Sequence, residues 1–305
     1  MAGKHSKKFF DFSKSVYVTA SDTNNINQKT LSLHFKIIIA VLIISLVLSS
    51  VLVGSFFLQS NAHKSLLANA ATVFQSVQSG EAIKTLSQKN RDIKGWIKIE
   101  GAGINCAVCQ GNDDTFYINH NQLGKKSRYG ALFLSANDSF ERTGGDRNIV
   151  IFGNNMKDGT MFGSLKKYRN LNFYKQNPCI NLYYSEEVET YIIFAVMLVS
   201  SSVDDNSKVY KPYKSYFADN SEFDSWIKES YSRSLIDTTV KAEYGDDILT
   251  LVTIADDFDG ARLVVMAKKT DEWNATHTEV SDAAVNPQIK YPKIWYTTRG
   301  LEYPY

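Results

Sequence analysis

Residues 250–269, TLVTIADDFDGARLVVMAKK, decide the fold of this chain. Two apolar runs, Thr250–Ala255 and Ala261–Lys269, flank an acidic loop that ends in Gly260. Short runs that are rich in β-branched residues and bounded by turn residues are typical of β-strands. The stretch therefore predicts two neighbouring strands joined by a tight acidic loop.

Similar runs precede this stretch and are also separated by turn residues. They are GWIKIEG (95–101), INCAVCQG (104–111), GALFLSA (130–136), NIVIFGN (148–154), CINLYY (179–184) and TYIIFAVMLVSS (190–201). Eight runs between Ile93 and Lys269 predict a mostly β, mostly antiparallel domain, a barrel or a sandwich. Two inserted helices are expected, one at Asn220–Ser234 with Ser221 as its N-cap and one near residues 161–174.

The N-terminal part of the chain has a different composition. Residues 37–58 form an uncharged apolar run, and a helix of this length spans about 33 Å, enough to cross a bilayer. The alternative is a cleaved signal peptide, but such an apolar region is shorter and lies nearer the start of the chain. Residues 1–36 hold six lysines against two aspartates. This excess predicts a cytoplasmic N-terminus, one transmembrane helix at 37–58 and an extracellular remainder.

Residues 59–92 show helical spacing of apolar residues and predict a helical stalk before the β domain. After residue 270 the strand pattern stops, and residues 271–305, with three prolines and several tyrosines, predict an extended tail. The net charge of +2 gives no indication of a nucleic-acid surface. Three cysteines argue against a disulfide framework.

Three groups of residues have both a chemical and a structural interpretation. Cys106 and Cys109 form a C-x-x-C motif, but in a strand they face opposite sides, which favours apolar packing over a redox or metal role. The loop at 256–259 favours a solvated turn over a calcium site, because it lacks EF-hand spacing. His120 is the histidine expected within the core region, and a structural or surface role is favoured over that of a base; the others lie outside it: His5, His34, His63 and His277.

Four stretches, in this order along the chain, resemble the class B sortase family. They are residues 90–111 (NRDIKGWIKIEGAGINCAVCQG), 113–134 (DDTFYINHNQLGKKSRYGALFL), 148–168 (NIVIFGNNMKDGTMFGSLKKY) and 250–269. The resemblance covers residues 65–270 and implies a sortase-type closed β-barrel at 93–270, with no metal or cofactor. Sortases of this class are extracellular transpeptidases of Gram-positive bacteria that join exported proteins to the cell wall through a cysteine thioester.

The chain departs from the family at two positions. The family shows Gly-His-Asn before Met-Lys-Asp-Gly, whereas Asn154 stands here at the histidine position. The family shows Thr-Leu-Ser-Thr-Cys, whereas Ile254 stands here at the cysteine position. Arg262 matches the family's arginine, which steadies the substrate and the oxyanion. With Arg262, the residues expected to contact a bound peptide flank these positions: Asn155, Val252 and Thr253.

These substitutions remove the expected chemistry, because isoleucine has no nucleophilic lone pair and asparagine has no titratable proton near neutral pH. The resemblance therefore predicts an inactive, membrane-anchored sortase-like protein that binds a sorting-type peptide, a pilin or an active sortase. The alternative is a transpeptidase or hydrolase with a displaced nucleophile, Thr253 or Ser135, assisted by His120. A purely structural role, in which Arg262 pairs with the acidic loop, also remains open.

Overall fold

A computed structural model describes residues 33–142, 148–201, 210–271 and 280–305 of the chain. The α-helices are α1 (Leu33–Ser76), α2 (Ser79–Ser87), α3 (Leu171–Gln176), α4 (Asn220–Arg233) and α5 (Lys293–Thr297). The strands are β1 (Ile93–Ile99), β2 (Ile104–Cys109), β3 (Leu132–Leu134), β4 (Asn148–Phe152), β5 (Cys179–Tyr183), β6 (Val188–Ser200), β7 (Ile236–Asp237), β8 (Ile248–Ile254), β9 (Ala261–Lys269) and β10 (Ala284–Val285). A 3-10 helix, Gly163–Arg169, precedes α3.

Eight strands close into a barrel in the order β1-β2-β3-β4-β8-β9-β6-β5. The pairs β2–β3 and β4–β8 are parallel, and the other pairs of the barrel are antiparallel. Closure removes the free sheet edges that an open sheet of this size would expose. The predicted closed barrel is therefore confirmed, and its strands lie between Ile93 and Lys269.

Several strands of the barrel bury apolar side chains on both of their faces. All but the last residue of β8 is buried, because its inner face fills the barrel and its outer face is covered. The two cysteines of β2 show the alternation directly: Cys106 lies in the main core, and Cys109 lies in a second cluster on the opposite face. Both thiols are free, as expected for packing residues.

The helical segment before the barrel packs against it. Among residues 63–87, Phe74 stacks on Trp96 of β1 with ring centroids 4.6 Å apart, and Ile83 and Leu86 of α2 join the same apolar cluster. Residues 59–92, predicted as a stalk, are thus helical at 59–76 and 79–87, and their later part covers one wall of the barrel. The histidine prediction is wrong for His63, which is only 5% exposed and stacks on Tyr129, whereas His120 is half-buried.

The first compact unit of the chain ends at Ala62 and contains the apolar part of α1. Among the described residues, α1 is the one helix long and apolar enough to cross a membrane, judged by length and composition. The lysine-rich segment that predicts its orientation lies almost wholly in residues 1–32, outside the described residues.

The tail returns to the barrel domain after residue 280. Strand β10 pairs with β7, and the side-chain amide of Asn286 donates to the backbone carbonyl of Ser234. The Lys290 ammonium forms an ion pair with Glu229 of α4 at 2.8 Å. One detail of α4 differs from expectation: Asp219 is its N-cap and accepts from the Glu222 N–H, so Ser221 lies inside the first turn.

Candidate functional site

The ends of three adjacent strands bring the predicted site residues together. In the parallel ladder, Phe152 of β4 pairs with Val252 of β8. Asn154 and Ile254 each lie two residues beyond this pair, so both are at the same end of the barrel. In the antiparallel ladder Ile254 is paired with Arg262 of β9. The three positions predicted from the resemblance thus lie at one rim of the barrel.

Asn154 is held by backbone groups of a facing loop. Its Nδ2 donates to the carbonyl oxygen of Ile118 at 2.8 Å and to that of Tyr129 at 3.2 Å. Gly130 has a positive φ of 64°, and a Cβ there would meet the Asn154 amide nitrogen at 2.8 Å. Asn154 is therefore a structural tie between the end of β4 and the loop at residues 118–130, and both of its amide hydrogens are used.

Ile254 is the exposed member of an otherwise buried strand. Its side chain is 48% exposed, whereas those of Val252 and Thr253 are 2% and 4% exposed. Exposing a large apolar side chain makes the fold less stable than burying it would. Each Å² of apolar surface left in water forgoes roughly 25 cal/mol of stabilising free energy. The exposed apolar surface stands where the family's nucleophile is expected.

None of the three thiols substitutes for a nucleophile at this rim. Burial raises the pKa of Cys106 to about 11 and that of Cys179 to about 11. The pKa of Cys109 is also raised, first by burial and then by the charge of Asp92. The thiolate is the reactive form of cysteine, so these groups are inert near neutral pH.

Arg262 has no carboxylate partner among the described residues. Its Nη1 donates to the carbonyl oxygen of Ala261 at 2.9 Å. The acidic loop is engaged elsewhere, since Asp257 accepts two hydrogen bonds from Arg169, at 2.6 and 3.1 Å. The predicted alternative, in which Arg262 pairs with the acidic loop, is therefore wrong, because Asp257 of the loop pairs with Arg169 instead.

A cleft with two lobes runs across Ile254. The first, here called the apolar lobe, has a volume of about 220 Å³ and is lined mainly by Ile118, Phe133, Phe152, Val252 and Arg262. The second, here called the polar lobe, has a volume of about 370 Å³ and is lined by Asn155, Lys166, Arg169, Asp256, Asp257 and Arg299, among others. Thr253 and Ile254 line both lobes, so the two volumes adjoin at these residues.

The residues predicted as displaced catalytic groups are not joined into a catalytic array. The Thr253 hydroxyl is buried and has no hydrogen-bond partner among the described residues. The Ser135 hydroxyl donates to Asp114 at 3.2 Å. His120 stacks on Phe116, and its Nδ1 lies 2.8 Å from the Phe116 carbonyl oxygen. A nucleophile needs a base within hydrogen-bond reach, and neither hydroxyl contacts His120.

Several cleft residues carried no sequence pattern that marked them. Phe133 and Phe152 are strand residues like any others, and Lys166 and Arg169 lie in the 3-10 helix before α3. Arg299 comes from the predicted tail, which has no periodicity that places it. Within the described residues, no group of three or more His, Cys, Asp or Glu side chains is placed to hold a metal ion. In the acidic loop, Asp257 is committed to Arg169.

Comparisons with known proteins agree with this architecture. No family model matches the chain. The sortase B of Listeria monocytogenes is 26% identical over 202 residues, which is 66% of this chain and 78% of the relative. The sortase B of Staphylococcus aureus is 26% identical over 187 residues, 61% of this chain and 73% of the relative.

A solved structure decides the family. A mutant form of Clostridium perfringens sortase B is 32% identical, with a TM-score of 0.61 over 67% of this chain and 97% of that one. The chain belongs to the sortase B family. As a sortase B family member it has the closed barrel of that fold, and the class B resemblance drawn from its sequence is confirmed.

Proposed function

We propose that this sortase B family member is a membrane-anchored, extracellular, non-catalytic protein whose cleft binds an extended sorting-type peptide. The single observation that carries the proposal is Ile254, an exposed apolar side chain on the cleft floor where the family resemblance expects a thiol. An intact cleft without a nucleophile supports binding without cleavage.

The chemistry of the rim supports the loss of catalysis. Acyl transfer in this family requires a thiolate and a group that moves a proton. Asn154 uses both amide hydrogens on backbone carbonyls, and amides do not titrate near neutral pH. The competing proposal of a displaced nucleophile relies on Thr253, a cleft residue whose hydroxyl is buried. That hydroxyl has no base beside it among the described residues.

The ligand class follows from the shape and lining of the cleft. Apolar side chains in the first lobe suit apolar side chains of an extended peptide, and Arg262 offers donors for a peptide carbonyl. The sortase B of Staphylococcus aureus has been solved in a complex with substrate. A sorting-type segment of an exported protein or pilin is therefore the proposed ligand, and an active sortase is the alternative partner.

The proposed location combines the apolar helix with the lysine excess before it. Helix α1 is long enough to span a bilayer, and six lysines in residues 1–36 favour a cytoplasmic N-terminus. The barrel domain would then lie outside the cell, where exported proteins are met.

The test measures binding and turnover on the full chain in detergent micelles. A fluorescent sorting-motif peptide is titrated against the parent, Arg262→Ala and Lys94→Ala, an exposed residue of β1 that lines neither lobe. We expect binding by the parent and Lys94→Ala, binding about tenfold weaker by Arg262→Ala, the equivalent of about 1.4 kcal/mol, and no cleavage by any of them. Cleavage that disappears in Thr253→Ala would support the displaced nucleophile instead.

A further inference from the structure

The polar lobe contains two cationic side chains without an acidic partner. Arg169 is neutralised within the lobe by its bidentate pair with Asp257. Lys166 and Arg299 form no ion pair with any described residue, and both are exposed at the lobe. Asp256 is the remaining carboxylate there. With Arg169 and Asp257 cancelled, the lobe carries two positive charges against one negative charge.

Arg299 is placed in the lobe by the tail. An ion pair between Lys290 and Glu229 holds the chain just before α5, where Tyr291 stacks on Trp295 at 4.0 Å. The Arg299 guanidinium lies 4.3 Å above the Trp295 ring, and its Nη1 donates to the Trp295 carbonyl oxygen at 3.0 Å.

These contacts leave part of the guanidinium available. Nε and Nη2 of Arg299 have no hydrogen-bond partner among the described residues. A planar guanidinium whose plane is fixed by an aromatic ring loses less conformational entropy when it binds an anion. Its open edge is suited to a carboxylate, which accepts two parallel hydrogen bonds.

The apolar and polar lobes adjoin at Thr253 and Ile254, which line both of them. An extended chain advances about 3.3–3.6 Å per residue, so a peptide seated in the apolar lobe reaches the polar lobe within a few residues. Because Ile254 cannot attack the peptide, the chain that crosses it stays intact. The residues beyond the crossing therefore remain attached and lie beside Lys166 and Arg299.

We propose that the polar lobe is a carboxylate-binding site for the peptide held in the cleft, with Arg299 of the tail and Lys166 as its ligands. The inference rests on the proposed function, since it needs a peptide across Ile254. The carboxylate is either the C-terminus of the peptide or an Asp or Glu side chain. A single negative charge matches the excess of one positive charge, and Asp256 in the same lobe disfavours a phosphate dianion.

The experiment uses the full chain in detergent micelles and fluorescence anisotropy. A fluorescein-labelled sorting-motif peptide with a short extension is made as the free acid and as the C-terminal amide. A second pair carries an internal Glu or Gln in the extension and an amidated end. The protein variants are Arg299→Ala, Arg299→Lys, Lys166→Ala and the control Lys293→Ala, an exposed residue of α5 that lines neither lobe.

We expect the parent and Lys293→Ala to bind one charged peptide about tenfold more tightly than its neutral twin. Arg299→Ala and Lys166→Ala should each reduce this ratio to below about threefold, a loss of at least about half of the 1.4 kcal/mol, without changing the affinity for the neutral peptide. The preferred pair identifies the source of the carboxylate. Arg299→Lys should keep part of the preference for the charged peptide, because lysine retains the positive charge but lacks the planar guanidinium that binds both carboxylate oxygens.

Three outcomes would overturn the inference while the proposed function survives. One is that the parent binds charged and neutral peptides with equal affinity. Another is that neither Arg299→Ala nor Lys166→Ala changes the ratio between the affinities for the charged and the neutral peptide. Tighter competition by inorganic phosphate than by acetate would also contradict a carboxylate site. If no peptide binds at all, the proposed function fails first and the inference fails with it. Circular dichroism of each variant checks that the fold is retained.

Discussion

Ile254 and Arg262 lie directly opposite each other across strands β8 and β9. Residues paired in this way place their side chains on the same face of the sheet, so the apolar side chain and the guanidinium meet in one cleft. In the proposed function, Ile254 occupies the position at which the family resemblance expects the nucleophile, beside Arg262. This arrangement is consistent with a rim that binds a peptide without cleaving it.

The exposure of position 254 predicts the reactivity of a thiol placed there. Ile254→Cys should react with maleimide near neutral pH at least about tenfold faster than any cysteine of the parent, because an exposed thiol has a pKa of about 8.5. Mass spectrometry counts the labels. The matched control is Val252→Cys, two residues earlier and only 2% exposed, which should stay unlabelled in the folded protein. Equal labelling of both variants would mean that the end of β8 is not arranged as described.

The contact between Phe74 and Trp96 predicts that the segment before the barrel contributes to its stability. Phe74→Ala should lower the free energy of unfolding by about 3–5 kcal/mol, the usual cost of truncating a buried phenylalanine. Denaturant titration followed by tryptophan fluorescence measures it, since Trp96 itself stacks on the removed ring. Val77→Ala, at an exposed position near the end of the same segment, should change it by no more than about 0.5 kcal/mol. Similar losses in both variants would show that the segment does not pack on the barrel.

A buried carboxylate predicts loss of stability in acid. Burial alone would raise the pKa of Glu189, but hydrogen bonds from Lys269, Tyr191 and Tyr184, together with the charge of Arg142, outweigh it and hold the pKa at about 2. The folded pKa is thus below the unfolded value of 4.5. The stabilisation is complete above pH 4.5 and is lost as the pH falls toward 2.

Glu189→Gln tests this directly. The variant should be less stable by roughly 3 kcal/mol near neutral pH, because it removes the charge that pairs with both Arg142 and Lys269 and leaves the buried Arg142 with Asp247 alone. Its stability should also fall less steeply than that of the parent below pH 4.5. Unfolding titrations at several pH values give both quantities. Glu187→Gln is the exposed control and should follow the parent curve; a parent curve that is flat in acid would contradict the assignment.

The proposed orientation of the chain predicts the result of proteolysis on intact protoplasts. Protease added from outside should remove the barrel domain and leave a fragment that contains residues 1–58, because the lysine excess before α1 favours the cytoplasm. Antibodies to each end of the chain follow the fragments, and lysed protoplasts serve as the control. Loss of residues 1–36 alone would mean that the chain has the opposite orientation.

Much of the barrel could be predicted from local sequence. Short β-branched runs bounded by turn residues mark strands because the pleated backbone alternates its side chains, and the same alternation placed Cys106 and Cys109 on opposite faces. The helix cap was harder to predict. Asp219 and Ser221 are both good caps, and the choice between them depends on where the chain enters α4.

Asn154, Ile254 and Arg262 could be predicted from the sequence because each lies inside a motif of fixed spacing. The motifs lie on or next to paired strands, and the register of that pairing brings the three residues close together. The partners of these residues depend on contacts between distant segments. The Asn154 ties to Ile118 and Tyr129, the Arg169–Asp257 pair and the arrival of Arg299 all join parts of the chain that no local pattern relates. The sequence by itself determined the strands, the apolar helix and the absence of a thiol at the rim, since these follow from residue type and period. Only the tertiary structure decided which charges meet in the cleft, because ion pairs between long side chains are selected by the geometry of the finished barrel.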